Sequence, residues 1–301
     1  MKKTSFPAAG PVLVLLAAVF WGSMGLFVRK LSGYGFSALQ ITCLRLTVAA
    51  LCFLLLLAGK EPQGFRIRLR DLPLFLGLGL ASVLFFSSCY FYAISIMSLS
   101  TAAILLYTSP IWVMLMSILF FRERMTRRKL LALLLAFGGC VLVSGVQGGG
   151  LTLTGLLVGL GSGLGYGLYS ILGTVALRRY TPYTVTAYTF VIAACGAWCV
   201  AKSAQIFALM SAAPSLSALL GLILLTGLVT AVIPFLTYTL GLQRMEASKA
   251  AILATVEPMV ATLFGALVFH EAITLPSALG ILLILSAVVL LNLRAKASSA
   301  T

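Results

Sequence analysis

Glu257 is the one acidic residue well inside a long apolar stretch of this 301-residue chain. It sits about ten residues from the start of that stretch, roughly 15 Å deep at 1.5 Å per helical residue. An ionised carboxylate there is costly, so such a residue faces a cavity or a partner. Two readings stand side by side: Glu257 binds a substrate amine or takes a proton during a transport cycle, or it caps carbonyls freed by Pro258 and locks helices together. Arg45 is the one cation inside an apolar stretch. It pairs with Glu257, holds a substrate carboxylate, or snorkels to an interface about 12 Å away; a structural or gating role is the favoured reading. Trp21, Tyr90, Tyr107, Tyr166, Tyr169 and Tyr238 join them as candidates for a wet cavity, since a buried Tyr or Trp wants a partner for its polar tip. Pro110, Pro234 and Pro258 interrupt helical stretches, and Pro110 and Pro258 are candidate hinges beside that cavity.

Other chemistries find no residues. The single histidine, His270, and the single aspartate, Asp71, lie in loops, which leaves no HExxH zinc site and no intramembrane aspartyl pair. No GxSG serine motif and no P-loop occur. Cys43, Cys52, Cys89, Cys140, Cys195 and Cys199 lie within apolar runs without CxxC spacing and read as small buried hydrophobes. No enzyme, metal site or cofactor is expected.

The elements that must position these residues follow from composition. The chain is 61% hydrophobic and 9% charged, far from the soluble average. Its charges cluster between apolar stretches long enough to cross a bilayer as helices. The expectation is an all-α polytopic membrane protein with ten spans, near 11–29, 37–58, 72–95, 100–121, 128–146, 152–177, 182–202, 215–241, 247–269 and 275–293. The run after Lys2 and Lys3 reads as a retained first span rather than a signal peptide. With a cytoplasmic N-terminus, seventeen of the 21 Lys and Arg fall inside and three outside, with Arg45 in a span. Both termini are therefore expected in the cytoplasm, across the cell membrane. The net charge of +15 reads as topology rather than as a nucleic-acid surface.

A repeat underlies the spans. Tyr90–Val143 aligns without a gap on Tyr238–Leu291, at an offset of 148. Ala102-Ala103-Ile104-Leu105 falls on Ala250-Ala251-Ile252-Leu253, Pro110 on Pro258, Phe121 on Phe269 and Glu123 on Glu271. Five spans per half is an odd number, so the halves, 1–147 and 148–301, enter the membrane in opposite directions. The charges agree. Arg122 to Lys129 holds five basic residues, whereas the equivalent loop near His270 and Glu271 holds no Lys or Arg. Inverted repeats of this kind build many secondary transporters, with the site at the midplane. In span 6, Gly155, Gly159, Gly163 and Gly167 form a smooth stripe for helix packing.

Phe20-Trp21-Gly22, Leu44-Arg45-Leu46, Ala102–Pro110 with Phe121-Arg122-Glu123-Arg124, and Ala250–Pro258 with Phe269-His270-Glu271 resemble the EamA family of the drug/metabolite transporter superfamily. Glu257-Pro258 is similar to that family's second-repeat signature. The resemblance implies a ten-helix inverted-repeat carrier that exports small metabolites, amino acids among them, by alternating access. A flippase for lipid headgroups or lipid-linked substrates is the alternative. Uniport and proton antiport both stay open, and a monomer suffices because one chain supplies both halves of a cavity.

Overall fold

The computed structural model describes residues 9–145 and 152–292. The expected boundary between the halves at 147 and 148, and the terminal charges Lys2, Lys3, Arg294 and Lys296, lie outside the described residues. Those residues form helices joined by short turns, with no strand among them. Nine helices are long and apolar enough to cross a membrane: α1 Ala9–Ser32, α2 Ala38–Lys60, α3 Leu69–Ile96, α4 Thr101–Phe121, α6 Leu153–Ala176, α7 Pro182–Val200, α8 Leu216–Leu242, α9 Ala247–Phe269 and α10 Leu275–Asn292. Between α4 and α6 lies α5, Arg127–Ser144, an 18-residue helix that opens on Arg127-Arg128-Lys129. That basic first turn makes α5 more charged than the other nine. A short helix, Ser203–Ser211, precedes α8.

Local chemistry sets many of the helix ends. Ser37 and Gln40 close a reciprocal capping box on α2. Thr126, Thr152 and Thr181 cap α5, α6 and α7 by accepting backbone N–H groups of their first turns. At their C-termini, α4 and α9 stop in the same way. Arg122 (φ 54°) and His270 (φ 55°) turn left-handed. The next N–H, of Glu123 or Glu271, reaches back to the carbonyl of Ser117 or Gly265, each at 3.2 Å. The two stops lie 148 residues apart.

Several helices carry interruptions, and these too come in pairs. Wide π-turns occupy Gly77–Leu84 in α3 and Leu228–Val232 in α8, ending at positions equivalent by the repeat offset. Helix α4 breaks at Tyr107 and Thr108, α9 at Thr255, just ahead of Pro110 and Pro258. Prolines there cannot donate to the preceding turn. The hydroxyls of Thr108 and Thr255 bond the carbonyls of Leu105 and Ile252, each at 2.6 Å.

The packing interleaves the two halves. Helix α1 lies against α8 and α9, and α6 lies against α3 and α4, so each half's first helix inserts into the other half. Helices α2 and α7 pair, as do α5 and α10. In the α5–α10 pair Gly139 and Gly280 touch; a Cβ on Gly139 would stand 2.7 Å from the Gly280 carbonyl oxygen.

Candidate functional site

The glycine stripe of α6 sets the floor of the site. A Cβ on Gly163 would lie 2.5 Å from Thr108 Oγ1 and 2.7 Å from the Leu105 carbonyl oxygen. The α6 backbone therefore runs directly against the break in α4. This contact carries Tyr166, Tyr169 and Ser170 of α6 to the middle of the bundle. There they meet Trp21 of α1, Phe235 and Tyr238 of α8, and Ser109 beside Pro110, around a cavity of about 20 Å³. That space has room for a single water.

The rings form a continuous box. Trp21 stands edge-on to Phe235 at 5.0 Å, tilted on Tyr238 at 5.2 Å, and edge-on to Tyr166 at 6.1 Å. Tyr169 meets Phe235 edge-on at 5.1 Å. Such offset and edge arrangements suit the ring quadrupoles. The hydroxyls of Tyr169 and Tyr238 are satisfied. Tyr238 and Ser170 share a hydrogen bond of 2.7 Å, and Tyr169 and Thr239 another of 2.7 Å. Thr239 spends its one hydrogen on the Phe235 carbonyl at 2.6 Å, so in the latter pair Tyr169 donates.

Glu257 opens the second section of α9 and accepts a 3.0 Å hydrogen bond from the Tyr166 hydroxyl. Tyr90, Tyr107, Tyr166 and Glu257 lie deep among protein atoms and within electrostatic reach of one another. Each still keeps some accessible surface. Trp21, Tyr169 and Tyr238, by contrast, are buried. Tyr107 also packs with Ala18, Cys140 and Val260, and Tyr90 leans on Phe91 at 6.1 Å.

Arg45 follows neither of two sequence expectations. It does not snorkel: it is buried, with Nη1 directed at Met24 Sδ at 2.7 Å. It forms no ion pair with Glu257 either, although the two charges act on each other. Its Nε–H is buried without a partner. Glu257 and Arg45 thus sit inside the bundle without an ion pair between them.

Ionic contacts tie the ends of the helices. At the end of α4, Glu123 accepts from Lys129 at 3.1 Å and from the Ser248 hydroxyl, while Lys129 also reaches Glu246 at 3.0 Å. At the equivalent end of α9, Glu271 pairs with Arg29 of α1 at 2.6 Å, and the Arg29 guanidinium lies 4.1 Å over the Phe269 ring. The first network is largely buried and the second exposed.

The sequence pointed to the titratable and aromatic members of this site. It missed Ser170 and Thr239, which satisfy the tyrosines, along with Phe235 and Met24. Phe235 had a signal, lying three residues before Tyr238 on the same helix face. The hydroxyls had none, being common residues in apolar helices.

Comparisons with known proteins fit this architecture. The model of the EamA-like transporter family matches twice, over residues 8–145 and 153–293. An uncharacterized transporter of Archaeoglobus fulgidus is 30% identical over 93% of this chain and 95% of its own. A probable terminal-alkyne amino-acid exporter of Streptantibioticus cattleyicolor is 29% identical over 58% of each chain. A solved crystal structure, 20% identical, superposes with a TM-score of 0.78 over 95% of this chain and 96% of that one, a likeness of fold. The chain belongs to the EamA-like transporter family.

Proposed function

We propose that this transporter is a secondary carrier that exports amino acids or related small metabolites across the cytoplasmic membrane by alternating access. The observation that carries the reading is Glu257, held by Tyr166 inside an apolar helix, with Arg45 buried on another helix and not ion-paired to it. An α-amino acid offers an ammonium to the first and a carboxylate to the second. The aromatic box of Trp21, Tyr169 and Tyr238 then supplies apolar contact for its side chain. The amino-acid relative from Streptantibioticus cattleyicolor supports the same class.

The central cavity of about 20 Å³ is several times too small for such a guest, so loading requires the helices to move. The breaks at Pro110 and Pro258 and the π-turns of α3 and α8 are the places where the bundle bends. In this reading α5 is the tenth span, the halves 1–147 and 148–301 are inverted, both termini face the cytoplasm, and one chain suffices. Glu257 is the group on which a coupling proton rides.

The test is transport by purified protein in liposomes, against labelled amino acids, amines and organic acids, with and without a pH gradient. Saturable transport of amino acids supports the reading. Movement of a labelled phospholipid without transport of any soluble compound overturns it in favour of a flippase.

A further inference from the structure

A second and larger cavity, of about 520 Å³, lies at one end of the bundle between the segment joining α2 to α3 and the α6–α7 turn. Arg66, Arg68, Arg179, Glu61, Thr181 and Thr184 are among its walls. The walls are held firmly. Tyr188 donates to the Phe65 carbonyl at 2.8 Å, Thr184 to that of Gly64 at 3.3 Å, and the Arg68 backbone N–H donates to the Tyr180 hydroxyl at 3.1 Å. Every one of these bonds joins the first half of the chain to the second. A loop fixed in this way presents its side chains at low entropic cost.

The charges on this loop are unevenly satisfied. Asp71 is taken by Arg179 at 2.8 Å and by the Tyr180 hydroxyl at 2.7 Å, and Glu61 by the Thr181 hydroxyl. Arg66 and Arg68 are exposed, and among the described residues neither guanidinium has a carboxylate within ion-pair distance. Beside them the surface turns apolar. Phe65, Leu69, Leu72 and Leu76 are exposed, Leu69 to 85%. The three leucines follow a helical spacing of three and four, one stripe leading from the cavity rim along the outside of α3.

We propose that this cavity binds the phosphate headgroup of an acidic phospholipid. Arg66 and Arg68 take the phosphate oxygens, and an acyl chain lies along Leu69, Leu72 and Leu76. Basic pockets between helices at a membrane face are suited to such headgroups, and arginine's planar fork matches phosphate oxygens. The cavity has the size of a small-molecule site. A soluble anion would use the arginines alone; the adjoining apolar stripe singles out a lipid. The bound lipid fills a cavity walled by segments of both halves. This site is separate from the central cavity and does not depend on what that cavity carries.

The experiment measures retention of labelled phosphatidylglycerol by the substrate-free, full-length protein in phosphatidylcholine nanodiscs, together with the unfolding temperature. Phosphatidylglycerol is expected to bind saturably and to raise the unfolding temperature. Each arginine contributes about fivefold to affinity for an acidic lipid. Arg66→Gln with Arg68→Gln should therefore lose most of the retention, while Arg70→Gln, outside the cavity walls, keeps it. Arg66→Lys with Arg68→Lys, which preserves the charge and the loop, should fall between the two. Equal losses in Arg70→Gln would reduce the effect to diffuse surface charge and overturn the site. Displacement of the lipid by inorganic phosphate alone would overturn the lipid as the ligand.

Discussion

At the scale of single residues, Glu257 and its hydrogen bond from Tyr166 divide the possible energetics. Glu257→Gln keeps a polar side chain there but removes the titratable group. It should abolish transport driven by a pH gradient and weaken binding of a substrate that carries an ammonium; unchanged pH dependence in flux assays would remove Glu257 from any coupling role. Tyr90 tests the proposed binding region, because it keeps accessible surface within electrostatic reach of Glu257. Tyr90→Ala should weaken substrate binding by about 1 kcal/mol, roughly fivefold, without loss of folded protein. Wild-type affinity by calorimetry would place Tyr90 outside the binding region. Glu257 could be found from sequence because a lone carboxylate in an apolar run stands out against its surroundings. The orientation of Arg45 could not. Its contact with Met24 comes from the way α1 and α2 pack, and nothing in the local pattern encodes that.

At the scale of the helices, close contacts and end networks fix how the rods sit. Gly163→Ala would place a methyl group 2.7 Å from a backbone carbonyl of α4. A destabilisation of about 1–3 kcal/mol is expected, seen as a lower unfolding temperature in detergent; an unchanged temperature would show that α4 yields at its break. The network at the end of α4 carries a pH signature. Burial pushes the Glu246 carboxyl upward, but hydrogen bonds from Lys129 and Lys249 outweigh it and hold the group below the usual carboxylate range. A depressed carboxylate contributes stability that is fully present above its unfolded value, about 4.5, and is lost as pH falls through the folded one. Unfolding temperature should therefore drop below about pH 4.5 in the wild type and drop less in Glu246→Gln. The helices themselves were legible from apolar length and flanking charge, and their equivalence from Pro, Glu and Tyr at matched spacing. The π-turns in α3 and α8 were not, because Gly77–Leu84 and Leu228–Val232 carry the same apolar residues as a regular helix.

At the scale of the whole molecule, charge bias and packing order make separate demands. Reporters fused to either end should read cytoplasmic, since the loops on that side hold most of the Lys and Arg. Ends on opposite sides of the membrane would overturn the ten-span inverted arrangement, and both ends outside would overturn its orientation. The interleaving of the halves has a further consequence, for synthesis at the ribosome. Helix α1 leaves the ribosome well before its neighbours α8 and α9 are made. At about 5–20 residues per second, α1 waits tens of seconds in the bilayer with its packing face against lipid. The nascent first half likewise holds open the slot between α3 and α4 until α6 arrives. Folding around α1 is therefore completed only after α9 has been made. A release of the polypeptide before α9 would leave an inserted but unclosed bundle, a substrate for membrane proteases rather than a working half.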